Sequence, residues 1–281
     1  MNILNETYKL QNEIEIPKLG FGTWQTPNDV VAKAVEDAIN DGYRLIDTAT
    51  VYENETGVCK GIKNSKIDRS KLFLTTKLPA SVKTYDQVKV EFEKSLQKLG
   101  TDYVDLYLIH APWPWNDIGS DHSKENQKVW KAMEEIYESG KAKAIGVSNF
   151  NVADLQNIFE TASIKPMVNQ IQYYVGFTEP KITKFCKEHH ILVEAYSPLA
   201  TGDLLSNQVV KDMADKYHVS APQIALKFII QNDVLPLPKG INPKHIKQNT
   251  ELDFEISAED MQKLNSLSDG APEHFHNATQ G

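Results

Sequence analysis

Asp47, Tyr52, Lys77 and His110 bring a carboxylate, a phenol, an ammonium and an imidazole to the ends of short apolar runs. The runs are 44–47, 72–77 and 104–110, with Tyr52 a few residues past the first. A tyrosine hydroxyl ordinarily holds its proton to a pH of about 10, so it donates poorly at neutral pH unless a cation eases the loss. Lys77 beside Tyr52 would do that by stabilising the phenolate, and Asp47 paired with Lys77 would fix the ammonium in place. His110 can donate to a carbonyl oxygen and orient it. Such a set could protonate an alkoxide as it develops on a carbonyl that receives hydride. A lone Tyr or Lys at a strand end is usually structural; four such residues at successive strand ends argue for a site.

The four can meet only if the runs are neighbouring parallel strands, whose C-terminal ends converge on one mouth. The rest of the chain fits that requirement. Residues 8–10 and 13–16, joined by Gln11-Asn12, read as a hairpin ahead of the strand at 19–23. Helical spacing over 29–40 stops at Asp41-Gly42. Helices follow near 53–64 and at 85–98, 124–138, 152–161, 179–189, 207–217 and 221–231, with strands at 143–147, 167–171, 191–196 and 234–237 between them. Short helices close the chain at 243–249 and 257–267. Strand–helix units of roughly 30 residues predict an α/β fold, a (β/α)8 TIM barrel, rather than an open sheet, with the hairpin plugging its bottom. The segments 111–123 and 198–206 and the tail after 268 read as loops over the mouth.

The 281 residues suit one barrel domain over 1–281, since such barrels commonly take about 250. Lys+Arg 30 against Asp+Glu 38 gives a net charge of −8, which disfavours nonspecific binding to nucleic acid or an anionic membrane. Cys59 and Cys186 are too few for a disulfide framework or a zinc site. The start has no basic-then-apolar leader and no run approaches 18 apolar residues, so a cytoplasmic location is expected.

The chain resembles the aldo-keto reductase family over nearly its whole length. The residues that carry the resemblance are Gly20-Phe21-Gly22-Thr23-Trp24, Asp47-Thr48-Ala49-Thr50-Val51-Tyr52, Lys77, Leu108-Ile109-His110, Gly146-Val147-Ser148-Asn149-Phe150, Gln170, Tyr196-Ser197-Pro198-Leu199 and Leu237-Pro238-Lys239. It is most similar to the bacterial members that act as 2,5-diketo-gluconate and glyoxal reductases. The resemblance implies a catalytic tetrad of Asp47, Tyr52, Lys77 and His110, with Tyr52 as proton donor in carbonyl reduction. It implies that Tyr196 stacks on a nicotinamide, that Ser148, Asn149 and Gln170 bind its carboxamide, and that Ser197, Pro198 and Leu199 belong to a loop over the pyrophosphate. It also places Gly22, Thr23 and Trp24, at the end of the first barrel strand, among the cofactor-binding residues. A Rossmann reading of Gly20-x-Gly22 fails, because Gln25 occupies the third glycine position and no acidic ribose ligand follows.

NADPH is the cofactor the resemblance favours, with NADH as a weaker substitute. Lys239 supplies the cation for a 2′-phosphate, and Gly240, Ile241, Asn242, His245, Gln248 and Asn249 complete that segment. Gly240 replaces the usual Ser or Thr, and His245 the usual Arg; a neutral imidazole cannot match the permanent, bidentate contact of a guanidinium. Lys244 could compensate. In the substrate pocket Ala111 stands where relatives carry Trp; Trp113 and Trp115 either refill that space, together with Trp24, Tyr52 and His110, or pack the loop down. The pocket then suits small carbonyl compounds: aldehydes, ketones or dicarbonyls. The pairs His189-His190 and His274/His276 lack a second cluster at metal-ligand spacing, so no metal is expected. A monomer is expected, as for many relatives. The alternative reading is a cofactor-binding regulatory or partner subunit on the same fold, against which the intact tetrad argues; a metal-dependent barrel hydrolase lacks the ligands.

Overall fold

Period-two alternation in the strands sets the architecture, because each strand turns one face to a closed interior and the other to a ring of helices. In the computed structural model, which describes residues 2–268, a hairpin of β1 (Thr7–Lys9) and β2 (Glu15–Pro17) precedes eight parallel strands. These are β3 (Gly20–Gly22), β4 (Leu45–Asp47), β5 (Phe73–Leu78), β6 (Val104–Ile109), β7 (Ala142–Ser148), β8 (Val168–Gln172), β9 (Leu192–Tyr196) and β10 (Leu235–Pro236), paired in chain order. The ring shuts where the Gly22 N–H donates to the Pro238 carbonyl at 3.0 Å. Glycine is required there: a Cβ on Gly22 would lie 2.9 Å from the Leu237 carbonyl oxygen. The fold is therefore the expected (β/α)8 barrel.

The helices between the strands are α1 (Asn28–Asn40), α2 (Glu55–Ser65), α3 (Tyr85–Leu99), α4 (Ser123–Glu138), α5 (Val152–Phe159), α6 (Pro180–Glu188), α7 (Gln208–Tyr217) and α8 (Ala221–Gln231). Two short ones follow, α9 (Pro243–Gln248) and α10 (Ala258–Asn265). Each lays an apolar stripe on the outer face of the strands. In α3 it is Val88, Phe92, Leu96 and Leu99, all buried, at the spacing of one helical face. Burying a side chain of this size contributes about 1.5–3 kcal/mol. Gly100, at φ 62°, then ends the helix in the left-handed region. Capping boxes open α5, with Asn151 and Asp154, and α8, with Ser220 and Gln223.

The barrel interior is apolar low down, where Leu45, Phe73, Leu106, Val168 and Leu235 cluster with Leu10 and Ile16 of the hairpin. The hairpin thus closes the bottom, and its turn is tied there by Gln11, which donates to the carbonyls of Pro166 and His190, and by Asn12, which donates to that of Lys143. Higher up, the inward positions turn polar. Among the described residues no helix is long and apolar enough to cross a membrane. Cys59 and Cys186 are both free and buried. The expected helix near 53–64 begins later, at Glu55. Residues Thr50–Tyr52 form a tight 3-10 turn instead, and Glu53 leaves it in the left-handed region, at φ 56°.

Candidate active site

Lys77 is the fixed point of the mouth. It ends the inward face of β5 and is fully buried, and its ammonium donates to both Asp47 carboxylate oxygens (2.7 and 2.9 Å), to the Thr48 carbonyl (3.0 Å) and to the Tyr52 hydroxyl (3.3 Å). Asp47 reaches it from the end of the neighbouring strand, β4. Tyr52 is delivered by the 3-10 turn, which Thr50 pins to β5 by donating to the Lys77 carbonyl (3.0 Å). Buried Asn54 steadies that turn: it accepts from the Thr48 hydroxyl and donates to the carbonyls of Thr23 and Thr26, tying the loop after β4 to the loop after β3. His110 follows β6, with its ring edge-on to Tyr52 at 5.6 Å. The four side chains singled out in the sequence therefore meet.

Their electrostatics refine the expectation for Tyr52. Burial raises the phenol's pKa, Lys77 lowers it and Asp47 adds to the rise; the net is above the ordinary value. Lys77 thus restrains the rise rather than making Tyr52 acidic, and the hydroxyl stays protonated at neutral pH, as a proton donor requires. Burial would push Lys77 down, but Asp47 and Tyr52 outweigh it and hold the ammonium charged. Burial, then Lys77, drives His110 well below the usual imidazole range, so it is neutral.

A cavity of about 640 Å³ opens over these groups. Asp47, Tyr52 and His110 line it together with Trp24, Val51, Trp115 and Ile118, and Ser197 to Leu199 and Lys239 line it as well. Gly22, Ser148, Asn149, Gln170 and Tyr196 also belong to its wall. The Tyr196 hydroxyl donates to the Asn149 side-chain oxygen (2.7 Å), and the Asn149 amide donates to the His110 carbonyl (3.0 Å), so one chain of bonds spans β9, β7 and β6. Ser148 donates to the Gln170 carbonyl at 2.8 Å. Thr23 stands behind the wall, buried and bonded to the Asp47 carbonyl.

Other residues singled out in the sequence lie elsewhere. Ala111 and Trp113 do not line the cavity: both are buried, clustered with Ala80, because the loop folds them inward against that small residue. Trp113 instead braces Trp115, edge-on at 5.2 Å, and Trp115 meets the His110 ring at 5.6 Å. Gly240, Ile241, Asn242, His245 and Gln248 lie around α9, outside the cavity wall; Asn242 caps α9, and Asn249 is buried. His189 packs against the rings of Phe185 and Phe159, tilted to the first and edge-on to the second, and no cluster of metal-ligating side chains occurs among the described residues. Residues 273–276 lie outside the described residues.

Two polar residues were not anticipated. Glu194, fully buried in β9, accepts from the Gln170 amide at 2.8 Å, and the same amide nitrogen donates to Asp47 at 2.9 Å. Lys83, after β5, donates to the Pro112 carbonyl (2.8 Å) and the Asn126 side-chain oxygen (2.9 Å), holding the loop that carries Trp115. A charged residue inside the apolar run 191–195 was a signal for Glu194; nothing in the sequence marked Lys83.

A (β/α)8 barrel whose mouth holds a Lys-bonded tyrosine beside a neutral histidine is the frame of an oxidoreductase. The chain matches the aldo/keto reductase family over residues 18–269, and it belongs to that family. It is 42% identical over 267 residues to the glyoxal reductase of Bacillus subtilis, covering 94% of each chain. It is 35% identical over 265 residues to the methylglyoxal reductase DkgA of Escherichia coli, covering 93% of each. An aldo/keto reductase structure from Brucella melitensis superposes with a TM-score of 0.87 at 41% identity, over 92% of this chain and 98% of that one.

Proposed function

We propose that this protein is an NADPH-dependent carbonyl reductase that turns small aldehydes, ketones and dicarbonyls into alcohols, with Tyr52 as the proton donor. The observation that carries the reading is the Lys77 ammonium, shared between Asp47 and the Tyr52 hydroxyl at the floor of the cavity. The cavity fits the cofactor. Tyr196 offers an aromatic face, Ser148, Asn149 and Gln170 offer amide and hydroxyl groups, and Lys239 offers a cation in the same wall. When bound there, the reduced dinucleotide supplies the hydride.

The chain's own residues do the rest. Neutral His110 directs an N–H at the substrate oxygen and holds the carbonyl beside Tyr52. As negative charge develops on that oxygen, Tyr52 gives up its proton to it, and the phenolate left behind is stabilised by Lys77, which Asp47 holds at hydrogen-bond distance. Trp24, Val51, Trp115 and Ile118 keep water from the carbonyl and favour compact, weakly polar substrates. The glyoxal and methylglyoxal reductases among the relatives support dicarbonyls in particular. Because His245 replaces a guanidinium, NADPH should be preferred over NADH by a modest margin.

Tyr52→Phe tests the mechanism. General acid catalysis is worth about 10²–10⁴-fold, so turnover of methylglyoxal should fall by that factor while the NADPH Kd stays nearly constant. Near-full kcat in the variant would refute Tyr52 as the donor.

A further inference from the structure

The wiring beneath Gln170 points to a function for Glu194. The Gln170 side-chain nitrogen donates to Asp47 (2.9 Å) and to Glu194 (2.8 Å), which uses both of its N–H groups. Gln170 also lines the cavity, so its carbonyl oxygen is the polar atom it has left to present there. Asp47 takes two hydrogen bonds from Lys77, and Lys77 reaches Tyr52. One hydrogen-bonded chain therefore runs from Glu194, in the sealed interior, to the proton donor.

We propose that Glu194 is a positioning residue of the reducing site: through Gln170 it fixes which end of that amide faces the cavity, and so how a cofactor carboxamide is held. This rests on the cofactor reading above. Asp47 alone could restrain the amide with one N–H and leave the second free to turn toward the cavity. With Glu194 accepting the second, Gln170 offers the carboxamide an acceptor alone, and the carboxamide must turn its NH₂ group toward that position. That choice fixes the orientation of the ring, and with it the face from which hydride leaves.

Glu194 also holds a concealed charge. Its other carboxyl oxygen is buried without a partner, and burial, reinforced by Asp47, raises its pKa to about 8 against the pull of Gln170 and Lys77. The charged groups facing it are Asp47 from β4 and Lys77 from β5; β8 presents the neutral Gln170 and β10 presents Leu235. Below pH 8 the carboxyl is neutral, and above it an anion appears near the nicotinamide subsite. An anion there favours the cationic, oxidised ring over the neutral, reduced one.

The experiment measures Kd for NADP⁺ and NADPH by fluorescence titration at pH 6.5 and 9, with steady-state kinetics, for the wild type, Glu194→Gln and Glu194→Leu. In the wild type the ratio of the NADP⁺ Kd to the NADPH Kd should fall at least about threefold from the lower to the higher pH; Glu194→Gln, which cannot ionise, should hold it constant. Glu194→Leu should raise KM for NADPH by about tenfold, the equivalent of one lost hydrogen bond, with little change in KM for methylglyoxal, and Glu194→Gln should recover most of that loss. The same pH dependence in Glu194→Gln as in the wild type, or unaltered cofactor KM in a folded Glu194→Leu, overturns the proposal. Should Glu194→Leu fail to fold, Glu194→Met, which keeps the side-chain length without an oxygen acceptor, takes its place and decides on the same cofactor KM. A wild type that binds neither dinucleotide refutes the carbonyl-reductase reading instead.

Discussion

Replacing Glu194 by Gln should stabilise the protein progressively as pH rises from 5 to 8. In the unfolded chain the carboxyl loses its proton near 4.5, whereas in the fold burial and the neighbouring Asp47 hold that proton to about 8. Between those values the folded state binds one more proton than the unfolded state. Stability therefore falls with rising pH, by about 1.4 kcal/mol per pH unit. This is the reverse of an ordinary salt-bridged carboxylate, whose stabilisation grows with pH. By pH 7 the accumulated loss reaches about 3.5 kcal/mol, and it levels off near 8, where the folded carboxyl ionises too. Relaxation of the site brings a realistic figure to about 2 kcal/mol, or roughly 4–8 °C in Tm for a domain of this size. Gln keeps an acceptor oxygen for the Gln170 amide and carries no such loss. Thermal melts of both proteins at pH 5, 6, 7 and 8, followed by circular dichroism without cofactor, should show a gap in Tm that widens with pH in favour of the variant. A constant offset from pH 5 to 8, or a gap that narrows, would refute the assignment of a proton-holding carboxyl to the barrel interior.

Asp47→Asn leaves the Lys77 ammonium fully buried without an anionic partner, so it should cost about 3–5 kcal/mol in urea unfolding and reduce kcat at least about a hundredfold. Adding Lys77→Met to it should recover much of the stability and none of the turnover. Lys83→Met removes one of the two donors on the Pro112 carbonyl, leaving only the Asn126 amide, and should raise KM for bulky aromatic aldehydes severalfold while leaving KM for small ones unchanged. Burial lowers the Lys83 ammonium to about 8, and the neutral amine donates more weakly, so the wild type should show a smaller rise in KM as pH passes 8 and the variant none. His245→Arg should increase the NADPH-over-NADH ratio of kcat/KM by roughly tenfold, the value of one charge-assisted phosphate contact.

The sequence disclosed the barrel because its strands are short apolar runs at regular intervals, and each run's end could be placed within a residue or two. It disclosed the tetrad for a related reason: a Lys, an Asp or a His closing an apolar run has to be paired or used. The same logic covers Glu194, but its signal is weaker, because one acid in a strand is more often turned to solvent. Where periodicity ends, legibility ends too. Trp113 and Trp115 sit two apart in a loop with no repeating pattern, and what buries the first and exposes the second is contact with Ala80, about thirty residues away, and the grip of Lys83 on Pro112. Tyr52 was readable as a participant but not in its geometry, since the 3-10 turn depends on Thr50 reaching back to β5.

The interior polar layer also explains why an amide stands at Gln170. Lys77 brings one positive charge into a space sealed from water, and Asp47 balances it with two hydrogen bonds. A second anion there has no cation to meet, so a third polar group must bridge acids without adding charge. Gln170 does so with two donors on one nitrogen. A carboxylate in its place would offer acceptors to two acceptors, and a lysine would draw Asp47 away from Lys77. The neutral bridge leaves the full pull of Asp47 on Lys77, and therefore the full effect of Lys77 on Tyr52. Gln170→Glu should thus loosen the Lys77–Asp47 pair and raise the Tyr52 pKa further, although position 170 never touches Tyr52. A phenol titration, read by ultraviolet difference absorbance against Tyr52→Phe as blank, would detect that shift. An unchanged Tyr52 titration in Gln170→Glu would show that the layer does not act as one electrostatic unit.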